Sequence, residues 1–137
     1  MKHWEAYVKA SYELVMETEQ KQALNLDHEL EAYIVHVIAR NFERTDIGSE
    51  PVATQIMQAM MHRDHPMMRS LADECLLIDS YPIRRHKWPS DDYYRQMGVM
   101  AYTFVGNQVL AWNFKLASRI LRELFNNEAN NTHQLSS

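Results

Sequence analysis

Apolar residues return every three or four positions along most of this chain, and nowhere do they alternate over the length of a strand in β-branched company. Trp4, Tyr7, Val8, Tyr12 and Val15 predict a first helix from His3 to about Gln20, frayed by the polar run Glu17–Gln22. Asn25 or Asp27 offers a cap for a second helix, Asp27–Glu43, whose inward face is Leu30, Ile34, Val37, Ile38 and Phe42. Glu29 and Glu31 fall in its first turn and Arg40 and Arg44 near its end, as the helix dipole favours. After the loop Thr45–Gly48, Ser49 and Pro51 signal the start of a third helix, Glu50–His62. Its buried side should hold Val52, Ala53, Ile56, Met57, Met60 and Met61.

Asp64 and Pro66 restart the chain as a fourth helix, His65–Ser80. Leu71, Cys75 and Ile78 share one face of it, Ala72, Leu76 and Asp79 the next, and Leu77 widens the apolar surface further. A helix apolar over so broad an arc should touch neighbours on several sides and organise the rest. Pro82 disfavours α geometry at Tyr81 and ends it, leaving the basic connector Ile83–Pro89. Ser90, backed by Asp91 and Asp92, should cap a fifth helix that turns Tyr94, Met97, Gly98, Ala101, Tyr102 and Val105 inward. Gly98 in mid-helix costs about 1 kcal/mol against alanine, so with Ala101 it is read as a close helix crossing. Past a turn near Gly106–Gln108, a single sixth helix should bury Val109, Trp112, Leu116, Ala117, Ile120, Leu121, Leu124 and Phe125 and stop at Asn126–Asn127.

The expectation is an all-α fold, a compact bundle of about six helices. Residues 1–127 form its single domain and 128–137 a flexible polar tail. Composition agrees. Three Gly and four Pro among 137 residues argue against a many-turned sandwich or barrel. With one cysteine there is no internal disulfide and no Cys-rich zinc site, and the charged N-terminus lacks a secretory apolar run, so a reducing cytoplasm is the expected location. No stretch approaches the roughly 18 apolar residues of a membrane span.

The net charge of −4 is unevenly placed: residues 1–31 carry seven acids against three lysines, and the remainder is neutral. Phosphate-backbone binding depends on accumulated Lys and Arg, so a nucleic-acid partner is not expected. Acids at the start of the chain are read as solvated helix surface.

Asp73-Glu74-Cys75-Leu76-Leu77, Tyr81-Pro82, Arg84-Arg85, Tyr93-Tyr94, Met97-Gly98 and Ala101-Tyr102, with Leu30–His36 upstream, occur in an order and spacing that resemble a family of small, uncharacterised bacterial cytoplasmic proteins. The resemblance spans roughly Asp27–Phe125 and leaves out the first helix. It implies a helical fold and a cytoplasmic location. Since no activity is assigned to the family, it implies no mechanism.

Candidate chemistry is sparse. The cluster Arg84–Lys87 follows a helix C-terminus, where cations are stabilised anyway, and Arg84 or Arg85 could bridge to Glu74, Asp79 or Asp92. Alternatively the arginine forks suit an anion or an acidic partner. His62, Asp64 and His65 have metal-like spacing, but Pro66 should turn them apart, and neither HExxH nor a Glu-x-x-His pair occurs. Cys75 sits mid-helix on the apolar side and reads as core. The pairs Asp73–Glu74 and Asp91–Asp92 diverge by about 100° on a helix, do not share a substrate, and read as solvated or capping acids. No phosphate loop and no nucleophile elbow is present. Met57, Met60, Met61, Met67 and Met68 crowd the junction of helices three and four, as core filling or as an adaptable groove. Trp4, Tyr7, Tyr12, Trp88 and Trp112 could anchor an interface.

By subtraction, the sequence favours a helical protein that works by binding another protein or a second copy of itself, with no catalytic residues, metal or cofactor assigned. Arg84, Arg85, Trp88, Tyr81 and Tyr94 are its candidate binding residues. The rival reading is a small-ligand or anion site, or an enzyme, with a pocket lined by Tyr81, Arg84, Arg85, Tyr94 and Tyr102.

Overall fold

The computed structural model describes residues 3–44, 47, 52–81 and 92–136, with side chains as far as residue 128. Among these residues there are seven helices and no strand. In order they are α1 (Trp4–Gln22), α2 (His28–Arg40), α3 (Val52–Met61), α4 (His65–Ser80), α5 (Tyr93–Phe104), α6 (Gln108–Trp112) and α7 (Phe114–Ser136). None is long and apolar enough to cross a membrane.

The helix α4 has the bounds its sequence signals set. Asp64 caps it by accepting the Met67 N–H at 3.1 Å, with Pro66 in the first turn. At the other end Tyr81 is extended, as the residue before Pro82 should be. From Leu71 to Leu77 every residue of α4 is buried. Helices α3, α5 and α7 pack against it, while α1 packs on α2 and α7, and α6 lies against α5, α2 and α7. Apolar burial on so many sides makes α4 the axis of the core.

The crossing of α5 over α4 depends on Gly98. A Cβ built there would lie 2.4 Å from Phe114 Cε2 and 3.0 Å from Cys75 Cβ, so α4, α5 and α7 meet at a point where only hydrogen fits. Phe114 is buried and leans on the ring of Tyr102.

Four expectations need correction. The predicted sixth helix is two helices, broken at Asn113, whose side chain and backbone N–H both donate to the Val109 carbonyl. Asparagine competes for backbone groups in this way and favours helix ends. The break leaves Trp112 at 83 % exposure, not in the core. On α3 the buried residues are Val52, Ile56 and Ala59, while Met57, Met60 and Met61 are exposed. On α1 the buried line is Ser11, Val15, Thr18 and Glu19, with Tyr12 exposed, and Phe42, expected on the buried face of the second helix, lies past the end of α2 and is exposed too. Finally, α7 runs past Asn126–Asn127 to Ser136. Asparagine costs only a few tenths of a kcal/mol more than its neighbours in a helix (about 0.7 against alanine), and no Gly or Pro follows Gly106 to stop it.

The α1–α2 elbow is a finding the periodicity could not supply. Ala23 closes α1 in the left-handed conformation (φ 53°), with the Leu24 N–H returning to the Glu19 carbonyl at 2.9 Å. The buried Glu19 carboxyl then accepts the Leu26 N–H at 3.1 Å and fixes the exit of the turn.

Candidate functional site

Two acids that read as helix surface in the sequence are buried. Asp73 turns from α4 towards α2, where Arg40 grips it through Nε (2.9 Å) and Nη2 (3.1 Å). The buried Tyr102 hydroxyl of α5 donates to Asp73 Oδ1 at 2.7 Å. One carboxylate thus ties three helices. Burial, together with the adjacent Asp73 charge, raises the Tyr102 pKa well above its ordinary value. Glu74, next in sequence, pairs with Arg44 at 3.4 Å, and Arg44 also donates to Asn41 at 3.2 Å.

Beside this network lies a cleft of about 440 Å³ between the start of α1, the end of α2 and the first half of α4. Ala39, Arg40 and Asp73 form its floor. Trp4 and Tyr7 form an aromatic wall, held by ring contacts of Trp4 with His36 and of Tyr7 with Phe42 (centroids 4.9 Å apart, 14° between planes). The Tyr7 hydroxyl donates to Glu43, which raises its pKa. Arg44, Arg69 and Ser70 complete the opposite side.

The candidate residues of the sequence fall elsewhere. Arg84, Arg85 and Trp88 lie outside the described residues. Tyr81 is 54 % exposed at the end of α4, edge-on to Phe125, and Tyr94 is half-buried edge-on to Tyr93. Tyr102 is not a pocket residue, because its ring is wholly buried and its hydroxyl is held by Asp73. Asp79 accepts the Ser118 hydroxyl at 2.7 Å, and its carbonyl accepts from Arg122, so it fastens α7 to the end of α4. Asp92 pairs with Arg95 one turn on.

Among the described residues no three His, Cys, Asp or Glu side chains gather as metal ligands. Asp64 is occupied as a helix cap, and His65 lies against the ring of Phe104. Cys75 is fully buried, and desolvation pushes its thiol up to about 12, which is the opposite of nucleophile activation.

The Arg40–Asp73–Tyr102 constellation was missed because adjacent acids on a helix read as solvated. The available signal was Asp73 lying inside the unbroken apolar stretch of α4, where a charge needs a partner. Comparison of the chain with protein-family models, curated proteins and solved structures finds no match.

Proposed function

We propose that this chain acts by binding another protein, its own second copy included, through the outward face of α3. The supporting observation is the exposure of Met57 (64 %), Met60 (39 %) and Met61 (78 %) within one helical arc. Val52, Ile56 and Ala59 already bury the other side of that helix, so these methionines are surplus to the core. Long, pliable thioethers grouped on a surface suit adaptable protein contacts. Trp112, exposed on α6, adds an aromatic side chain of the kind that dominates interfaces. Arg84, Arg85 and Trp88 remain candidates from the sequence for the same role, in the cytoplasm that the sequence favours.

The test is light scattering over a concentration series, with affinity capture from the native cell, for the wild type and for Met57→Gln/Met61→Gln. The double variant should keep its helical circular dichroism and lose either the oligomeric mass or a captured partner. A wild type that stays monomeric, with captured proteins identical to those of the variant, would overturn the reading. Alanine at Arg84, Arg85 and Trp88 examines the connector by the same two measurements.

A further inference from the structure

The floor of the cleft holds an arginine used on only one edge. A guanidinium can present two parallel N–H pairs, one through Nε and Nη2 and the other through Nη1 and Nη2. Arg40 gives the first edge to Asp73. Its second edge has no acceptor among the described residues, and its side chain is 23 % exposed where it lines the cleft. Asp73 is itself buried and fixed by Tyr102, so the Arg40 fork is held in place before anything binds.

At the mouth stands Arg69, an exposed cation with no carboxylate in ion-pair reach among the described residues. Glu43 is the opposing charge on the rim. It is solvent-exposed and hydrogen-bonded by Tyr7, so its repulsion of an anion is screened. The remaining wall is Trp4 and Tyr7, which a flat apolar body could lie against. A volume of about 440 Å³ is in the range of small-molecule sites and far too small for a folded partner.

We infer that this cleft binds a small organic carboxylate with a flat apolar body, its carboxylate on the second edge of Arg40 and near Arg69, its body against Trp4 and Tyr7. Bidentate pairing with a planar carboxylate is what a preset guanidinium edge favours. The aromatic wall would give no advantage to a bare inorganic anion.

The probe is naphthalene-2-carboxylate, titrated into the full chain by calorimetry and by amide chemical-shift mapping. Naphthalene-2-carboxamide serves as the neutral control and inorganic phosphate as the bare anion. The carboxylate should bind with a Kd on the order of 0.1–1 mM and shift amides of α1, α2 and the start of α4. Neither control should match it. Arg69→Gln, at an exposed position that leaves the fold intact, should weaken binding about tenfold, and Trp4→Ala should weaken it again. Arg40→Lys should abolish it, but because that variant also disturbs Asp73, the Arg69 and Trp4 variants carry the test. Equal binding of the amide or of phosphate, shifts confined to other helices, no binding at several millimolar, or indifference to Arg69→Gln would each overturn the assignment.

Discussion

The Tyr102 hydroxyl donates to Asp73 Oδ1 at 2.7 Å inside the core, and Arg40 holds the same carboxylate from the other side. A charge so placed is tolerated because every strong interaction it needs is supplied by α2 and α5. Asp73→Ala leaves a guanidinium and a phenol without their acceptor and should cost about 3–5 kcal/mol, the range for breaking a buried ion pair from one side. Tyr102→Phe removes one donor from a carboxylate that keeps Arg40, and should cost about 2 kcal/mol. Urea unfolding followed by circular dichroism checks both. Because the folded-state pKa of Tyr102 is raised, its contribution to stability is complete below the unfolded value near 10.0 and falls as pH rises above it. Tyr102→Phe should therefore flatten the alkaline limb of the stability curve.

Gly98→Ala tests the three-helix contact. Alanine is the better helix former by about 1 kcal/mol. Its Cβ, however, would meet the Phe114 ring at 2.4 and 2.7 Å, and that ring is packed on all sides. The net effect should be a loss of about 1–3 kcal/mol, the range for overpacking. Phe114→Leu, introduced with it, should recover part of the loss. A lowered thermal midpoint for the single variant, partly restored in the double, is the expected pattern.

Glu19 gives a pH dependence of known sign. Burial first, then the neighbouring Glu31 carboxyl, raise its pKa above 4.5, against the opposing pull of the Leu26 N–H. The folded chain therefore holds the proton more tightly than the unfolded chain. The stability this gives is full below the unfolded pKa and is lost as pH rises through the raised folded value. Glu19→Gln keeps an acceptor for Leu26 and removes the ionisation. It should stabilise the protein by about 1 kcal/mol at pH 7 and by nothing at pH 4, read as thermal midpoints at both pH values.

Ala23 occupies a left-handed helix cap, where a Cβ is penalised. Ala23→Gly should raise stability by about 1 kcal/mol, since relief of the strained φ exceeds the added freedom of the unfolded chain. Denaturant midpoints should shift upward with an unchanged slope.

Cys75 should be silent towards thiol reagents. With its thiol buried and pushed up to about 12, almost no thiolate exists at neutral pH. Titration with an aromatic disulfide should release less than one equivalent over hours in the native state and one equivalent promptly in urea.

Periodicity and punctuation in the chain determined that this is a helical bundle, that α4 is its axis, and where α4 begins and ends. Those features are local: a capping aspartate, a proline in the first turn, a proline after the last, and the phase of apolar residues between them. The reading of Gly98 as a crossing and of Cys75 as core followed from the same logic. Tertiary packing decided what local pattern could not. Which arc of α1 and α3 faces inward depends on where α2 and α4 lie, so Tyr12, Met57 and Met61 came out exposed although their spacing suited a core. The split at Asn113 has a local cause, the side chain's bond to the Val109 carbonyl, which apolar spacing does not register, and it leaves Trp112 in solvent. Most of all, Asp73 and Glu74 could be seen as charges in an apolar run, but their partners Arg40, Arg44 and Tyr102 stand about thirty residues away on other helices. A buried charge announces that it needs a partner, and only the folded chain says which one.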